Sequence, residues 1–386
     1  MTPKSFVYLA AAAVVSALFA IVTFAANNPW GSGPVAGEKL MPTLAGSIGQ
    51  VAEVAIRQGE DGVVLERTGG TWSLKSRGGY PVDVVKVRAL LVGLDKAELV
   101  EPKTSRAEKY AALELEDPAG KGAKSRLVKV TDAKGNTIAE AVLGKKRSEG
   151  YGTGKTGGTY VRRPGNPQTW LANAELDAPV ATKDWVKASV LALDSAKINR
   201  VSIEIPGEPA LRVERPAPAP AKDAAATAKD AKDAKATEKA DAKVDLMKLH
   251  QMSEPPAPPA PPAKLAFVGF PTDGKKLKDA SAAESLARAV ASIDLEDLRK
   301  LAAPPSGDGA SVVKIESADG VVTTLRLRKE GDAHWLTVAT TGGEGDGKKA
   351  ADEIAARTKD WEFKIPGWKA DAILKKRADL IEASGS

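Results

Sequence analysis

The chain has 386 residues, no cysteine, and 56 basic against 50 acidic side chains, for a net charge of +6. That length predicts two domains, and the lack of cysteine excludes disulfides, thiolate catalysis and cysteine-held metal. The two signs of charge are interleaved along the chain, which reads as a solvated surface, so no nucleic-acid partner is expected.

Residues 1–5 read as a short cytoplasmic tail. From Phe6 to Ala26 there is no charged residue, and a helix over that stretch is long enough, at roughly 31 Å, to span a bilayer core. Lys4 precedes it and no basic residue follows until Lys39. The positive-inside bias then predicts a single-pass transmembrane anchor in the inner membrane, with the lipid bilayer as a partner and the remaining chain periplasmic. A cleaved signal peptide is the alternative, since Ala25 and Ala26 are small, although the apolar run is long for a signal core and lacks a clean Ala-x-Ala site. Residues 27–46 read as a juxtamembrane linker.

Beyond the linker the same order of elements occurs twice, predicting an α+β protein with two tandem modules over 47–195 and 196–384, each an antiparallel sheet with helices. The first match is a strand pair. Val51, Val54 and Ile56 answer Ile198, Val201 and Ile203, and the partner runs are Val63–Arg67 and Leu211–Arg215. Alternation with Asp61-Gly62 predicts a hairpin. A helix follows in each copy, carrying Val84, Val87, Leu91 and Leu94 in one and Leu286, Val290 and Ile293 in the other, with Pro81 in a first helical turn. A second hairpin comes next, 128–136 and 313–320, with glycine at the same turn position. Strands with Tyr160-Val161 or Trp335–Val338, then with Trp170-Leu171 or Trp361–Phe363, complete each copy before a terminal helix near Asp184-Trp185 or Gly367-Trp368. The offset between copies grows by about the length of segment 216–263, an Ala/Pro/Lys-rich stretch that cannot bury a core and reads as a disordered insert within the second copy. Within it, Val244–Leu249 is a short apolar island.

Several patterns invite a chemical reading. Gly154-Lys155-Thr156 resembles the end of a phosphate-binding loop, but Glu149 stands where the first glycine is required, and Gly150–Gly154 reads better as a hairpin connection. Of the two histidines, His250 falls in the Ala/Pro/Lys-rich insert and His334 opens a predicted strand, so no ligand cluster and no serine–histidine–carboxylate order is proposed. Glu114, Glu116 and Asp117 precede Pro118 and read as loop carboxylates. No catalytic, cofactor-binding or metal-binding residue is assigned, and no cofactor is expected. Trp72, Trp170, Trp335 and Trp361 fall in predicted strands, where they would fill a core or line an aromatic groove for an extended peptide or glycan.

Trp72-Ser73-Leu74, Tyr80–Asp83 opening a helix, Leu90–Leu94, Tyr110 with Leu113 and Asp117-Pro118, Val142–Lys145, and Gly158–Arg162 together resemble the bacterial family catalogued as domain of unknown function 4340. The resemblance runs from about Val51 to Trp185 and continues more weakly into the second copy. It implies a membrane-anchored, non-enzymatic scaffold or accessory subunit working beside components of an ABC-type exporter, and it implies no site residues. The alternative is an extracytoplasmic module that binds peptide or glycan through exposed tryptophans.

Overall fold

The computed structural model describes Ser16 and residues 36–147, 157–216, 263–269, 276–302 and 309–382. Apart from Ser16, the stretch expected as an anchor, 6–26, lies outside the described residues, as do Gly150–Gly154, His250, Val244–Leu249 and 217–262 of the insert. The chain divides into two compact units between Ala188 and Ser189.

Module one is a nine-stranded sheet in the order β4-β3-β2-β1-β6-β7-β8-β9-β5. Its strands are β1 (Val51–Gln58), β2 (Asp61–Thr68), β3 (Thr71–Leu74), β4 (Tyr80–Pro81), β5 (Leu99–Pro102), β6 (Arg126–Asp132), β7 (Thr137–Arg147), β8 (Gly158–Arg162) and β9 (Thr169–Ala172). Alternation decides which side chains enter the core. Val54 and Ile56 of β1 face Leu65 and Val63 of β2 on one side and Val130 and Val128 of β6 on the other. All six are at most 1% exposed. The first turn lies two residues earlier than the sequence suggests. Gln58 pairs with Asp61, so Gly59-Glu60 makes the turn, with Gly59 at a positive φ of 60° that favours glycine in a two-residue hairpin loop.

Helix α1 (Val84–Lys96) crosses from β4 to β5. Asp83 caps it, its carboxylate accepting from the Val85 N–H, and Val87, Leu90, Leu91 and Leu94 are its buried face. Burying each such side chain contributes about 1.5–3 kcal/mol, which fixes the helix on the sheet. Val84 is not part of that face, being 43% exposed, and Pro81 ends β4 instead of opening the helix. Residues 36–50 belong to this module: Leu40, Met41 and Leu44 are at most 2% exposed, and the Leu40 N–H donates to the Ala97 carbonyl at the helix exit.

Module two contains β10 (Ser189–Ala192), β11 (Ile198–Glu204), β12 (Leu211–Glu214), β13 (Ala266–Phe267), β14 (Ser292–Asp294), β15 (Asp297–Lys300), β16 (Ser311–Ser317), β17 (Val321–Glu330), β18 (Ala333–Gly342) and β19 (Trp361–Ile365). Its main sheet runs β13-β12-β11-β16-β17-β18-β19-β15, while β10 and β14 form a separate pair. Strand for strand this is the order of module one without the short β4. Both copies have a bulge at the same place, between Val51 and Glu53 in β1 and between Ile198 and Arg200 in β11. Both second hairpins close on a glycine of positive φ, Gly135 and Gly320, whose N–H donates three residues back to Asp132 or Ser317. Both lead-in segments lie along the helix exit, since the Leu193 N–H donates to the Ala291 carbonyl as Leu40 does to Ala97.

The helices of module two are α2 (Ala282–Ala291), α3 (Gly345–Thr358), α4 (Gly367–Ile373) and α5 (Arg377–Leu380). α2 buries Leu286 and Val290 but ends at Ala291, so Ile293 is a strand residue of β14. α3 has no counterpart in module one. It covers the length of β18 that β19 leaves unpaired: Thr340 donates through Oγ1 to the Ala351 carbonyl at 2.7 Å, and Thr358 Oγ1 donates to Val338 at 3.2 Å. An open strand edge is thereby closed by side-chain hydrogen bonds.

The expected fold class needs correction. The described chain is mainly antiparallel β-sheet, because period-two alternation dominates it and the helices are short crossovers and caps. The expected transmembrane helix is not found: among the described residues no helix is long and apolar enough to cross a membrane, the longest being α3 with 14 residues. The terminal helix expected near Asp184-Trp185 is only a single 3-10 turn, Thr182–Asp184.

Candidate functional site

One difference between the two modules lies where the chain leaves the last sheet strand and returns past the crossover helix. In module two this return segment is α4, which packs on α2 and buries Ala370 and Ile373. Burial pushes the Lys369 ammonium below its usual value, the nearby Asp294 carboxylate opposing the shift. In module one the corresponding stretch after β9 is extended. Thr159 Oγ1 holds its start, donating to the Ala174 carbonyl at 2.8 Å and accepting from the Leu176 N–H at 2.9 Å. Its end is tied to α1, where the Asp83 N–H donates to the Trp185 carbonyl at 2.8 Å.

Between these ties lies an open cleft of about 520 Å³, lined by α1 through Lys86, Ala89 and Leu90 and by the return segment through Glu175, Leu176, Asp177, Pro179, Asp184 and Trp185. Leu90, Leu176 and Trp185 are at most 4% exposed and make an apolar floor. The Trp185 indole is fixed by its Nε1 donating to the Pro179 carbonyl at 2.8 Å. The rim is charged. Lys86 Nζ reaches the Val186 carbonyl at 3.5 Å and Asp177 pairs with Lys146 at 3.4 Å. Glu175 and Asp184 have no ion-pair partner among the described residues. The outer face of α1 extends the apolar surface past the rim, with Val85 75% and Val92 36% exposed.

The residues weighed from the sequence do not converge on this cleft, Leu90 of α1 and Asp184-Trp185 of the terminal segment excepted. Glu116 and Asp117 brace their loop, accepting from the Ser125 and Ala119 N–H groups. His334 sits in β18 with its Nδ1 buried and unpartnered. Trp72 and Trp170 are core residues, 7% and 4% exposed. Trp335 and Trp361 are half-buried, and Trp335 is covered by the Arg299 guanidinium, 3.9 Å from its ring centroid. Of the six described tryptophans only Trp368, at 71%, is largely exposed, so they do not line one open face. Among the described residues no group of histidine and carboxylate side chains could hold a metal.

A second glycine-rich stretch, not singled out from the sequence, spells Gly342-x-x-x-x-Gly347-Lys348 from the end of β18 into the first turn of α3. It departs from a phosphate-binding loop in chemistry, since Lys349 stands where serine or threonine would be needed. The helix end is also taken: a Cβ at Gly347 would lie 2.9 Å from the Asp319 carboxylate, and Glu344 and Asp346 flank it. An anion would meet three carboxylates there.

The signals for the cleft were present in the sequence but short. Pro179 interrupts any helix running through this segment, yet only the pairing of β9 shows what it passes.

Fold and cleft together define a duplicated antiparallel-sheet protein with one open helix flank. A family model described as Domain of unknown function (DUF4340) matches residues 72–261, the stretch from β3 through the first strand pair of module two into the insert. No curated protein and no solved structure matches the chain.

Proposed function

We propose that this is a bacterial, non-enzymatic accessory or scaffold protein that binds components of a membrane transport complex, an ABC-type exporter, from the periplasmic side of the inner membrane. The observation that supports this reading is the duplication. Strand order, bulge and lead-in contacts recur in both modules, whereas the surface beside the crossover helix is packed by α4 in one and open in the other. A repeated scaffold whose copies differ at a surface suits a protein that presents contacts to partners. The resemblance to family members found beside exporter components gives the partner class.

In-cell crosslinking followed by mass spectrometry of the gently solubilised full-length protein tests the reading. The expected result is reproducible linkage to permease or ATPase subunits. Recovery of the protein without such partners would overturn it.

A further inference from the structure

We propose that the cleft of module one is a docking site for a short amphipathic helix of a partner protein, which lays an aliphatic face along the exposed Val85, Ala89 and Val92 of α1 and presents a lysine or arginine to Glu175 and Asp184 at the cleft rim. The inference deepens the partner-binding reading and rests on it. The duplication itself indicates the occupant. In module two the equivalent space beside the crossover helix is filled by α4, a seven-residue helix that buries Ala370 and Ile373 and brings Lys369 near Asp294. Module one has the crossover helix without such a helical filler, its return segment running extended with a single 3-10 turn.

Charge gives the sign of the partner. The cleft presents three carboxylates, of which only Asp177 is paired, and Lys86 is directed to a backbone carbonyl. An incoming cation meets two carboxylates without an ion-pair partner among the described residues, whereas an incoming anion meets like charge. The exposed run of Val85, Ala89 and Val92 at helical spacing on α1 extends the apolar contact beyond the cleft, in the manner of a helix laid in a groove.

The absence of cysteine makes Ala89→Cys in the full chain a unique attachment point for an environment-sensitive fluorophore at the cleft wall. Two synthetic helical peptides with the same aliphatic stripe, one flanked by lysine and the other by glutamate, are titrated against the labelled protein. The lysine peptide is expected to give a saturable response that weakens with added salt and by about fivefold in the Glu175→Gln/Asp184→Asn double variant, the size two partly exposed ion pairs confer. The glutamate peptide is expected to give none. Equal binding of both peptides, no saturable binding of the lysine peptide, or an unchanged affinity in the double variant would each overturn the site. A crosslinked transport complex whose contacts avoid the cleft would remove this site while leaving the accessory reading standing.

Discussion

At the scale of single residues, the module tolerates little where backbones approach. Gly144 lies in β7 beneath the loop that precedes β6, and a Cβ there would meet the Leu113 carbonyl at 2.2 Å and that of Glu114 at 2.9 Å. Gly144→Ala should therefore destabilise the protein by about 2–3 kcal/mol, as overpacking does. Gly49→Ala, where nothing lies within 4 Å, should change stability by no more than about 0.5 kcal/mol; urea denaturation of both variants gives the comparison. Glu362 is the most buried carboxylate of the module-two network, accepting from Arg299 Nε at 2.7 Å and Arg328 at 3.0 Å. Glu362→Gln leaves both guanidiniums short of an anion and should cost about 1–3 kcal/mol in the same assay. Hydrogen bonds from Lys103 and then Arg147 hold the Glu101 carboxyl below its usual value of 4.5, and Lys314, with Arg200, does the same for Glu316. Each binds its proton less readily folded than unfolded. These pairs therefore stabilise the fold above the usual glutamate value and lose that contribution as pH falls through it to the lowered folded values. The urea midpoint should drop on acidification, and drop less in a Glu101→Gln/Glu316→Gln variant.

At the scale of elements, caps and turns decide where alternation gives way to helix. Asp83→Ala removes the α1 cap and should cost about 0.5–2 kcal/mol, seen as a lower thermal midpoint with lost helical circular dichroism. Such elements were partly legible in the sequence. Val54 and Ile56 alternate as a strand should and are buried as such, the bulge after Val51 bringing that residue to the same buried side, and the glycine of each second hairpin marked its turn. The errors share a cause. Ile293 keeps helical spacing after Leu286 and Val290, but pairing of β14 with β10 outweighs that spacing. Pro81 satisfies a first helical turn equally well, yet a short edge strand also accepts proline. α3 was missed because its sequence is mostly small and charged, with Ile354 its one large buried side chain; it is held by hydrogen bonds to β18 that no periodicity announces.

At the scale of the whole molecule, one sheet topology used twice organises the chain, and the modules differ by an added helix on β18, an insert between β12 and β13, and the helix flank left open in module one. The repetition of elements could be read from the sequence because the core residues recur in order. The cleft could not, since its walls, α1 and the segment 175–185, are far apart in sequence and are brought together by the pairing of β5 with β9 and the tie between Asp83 and Trp185. The account stands on the two sheets sharing one register. Ala55 pairs with Lys129 in module one, and the equivalent pair in module two is Ser202 with Lys314. With no native cysteine to interfere, the most direct measurement is disulfide formation under mild oxidation in full chains carrying Ala55→Cys/Lys129→Cys or Ser202→Cys/Lys314→Cys, with Ala55→Cys/Val130→Cys as the shifted control. Closure of both equivalent pairs and not of the control is the predicted result; closure in one module alone, or equal closure of the shifted pair, would contradict the shared register on which the account depends.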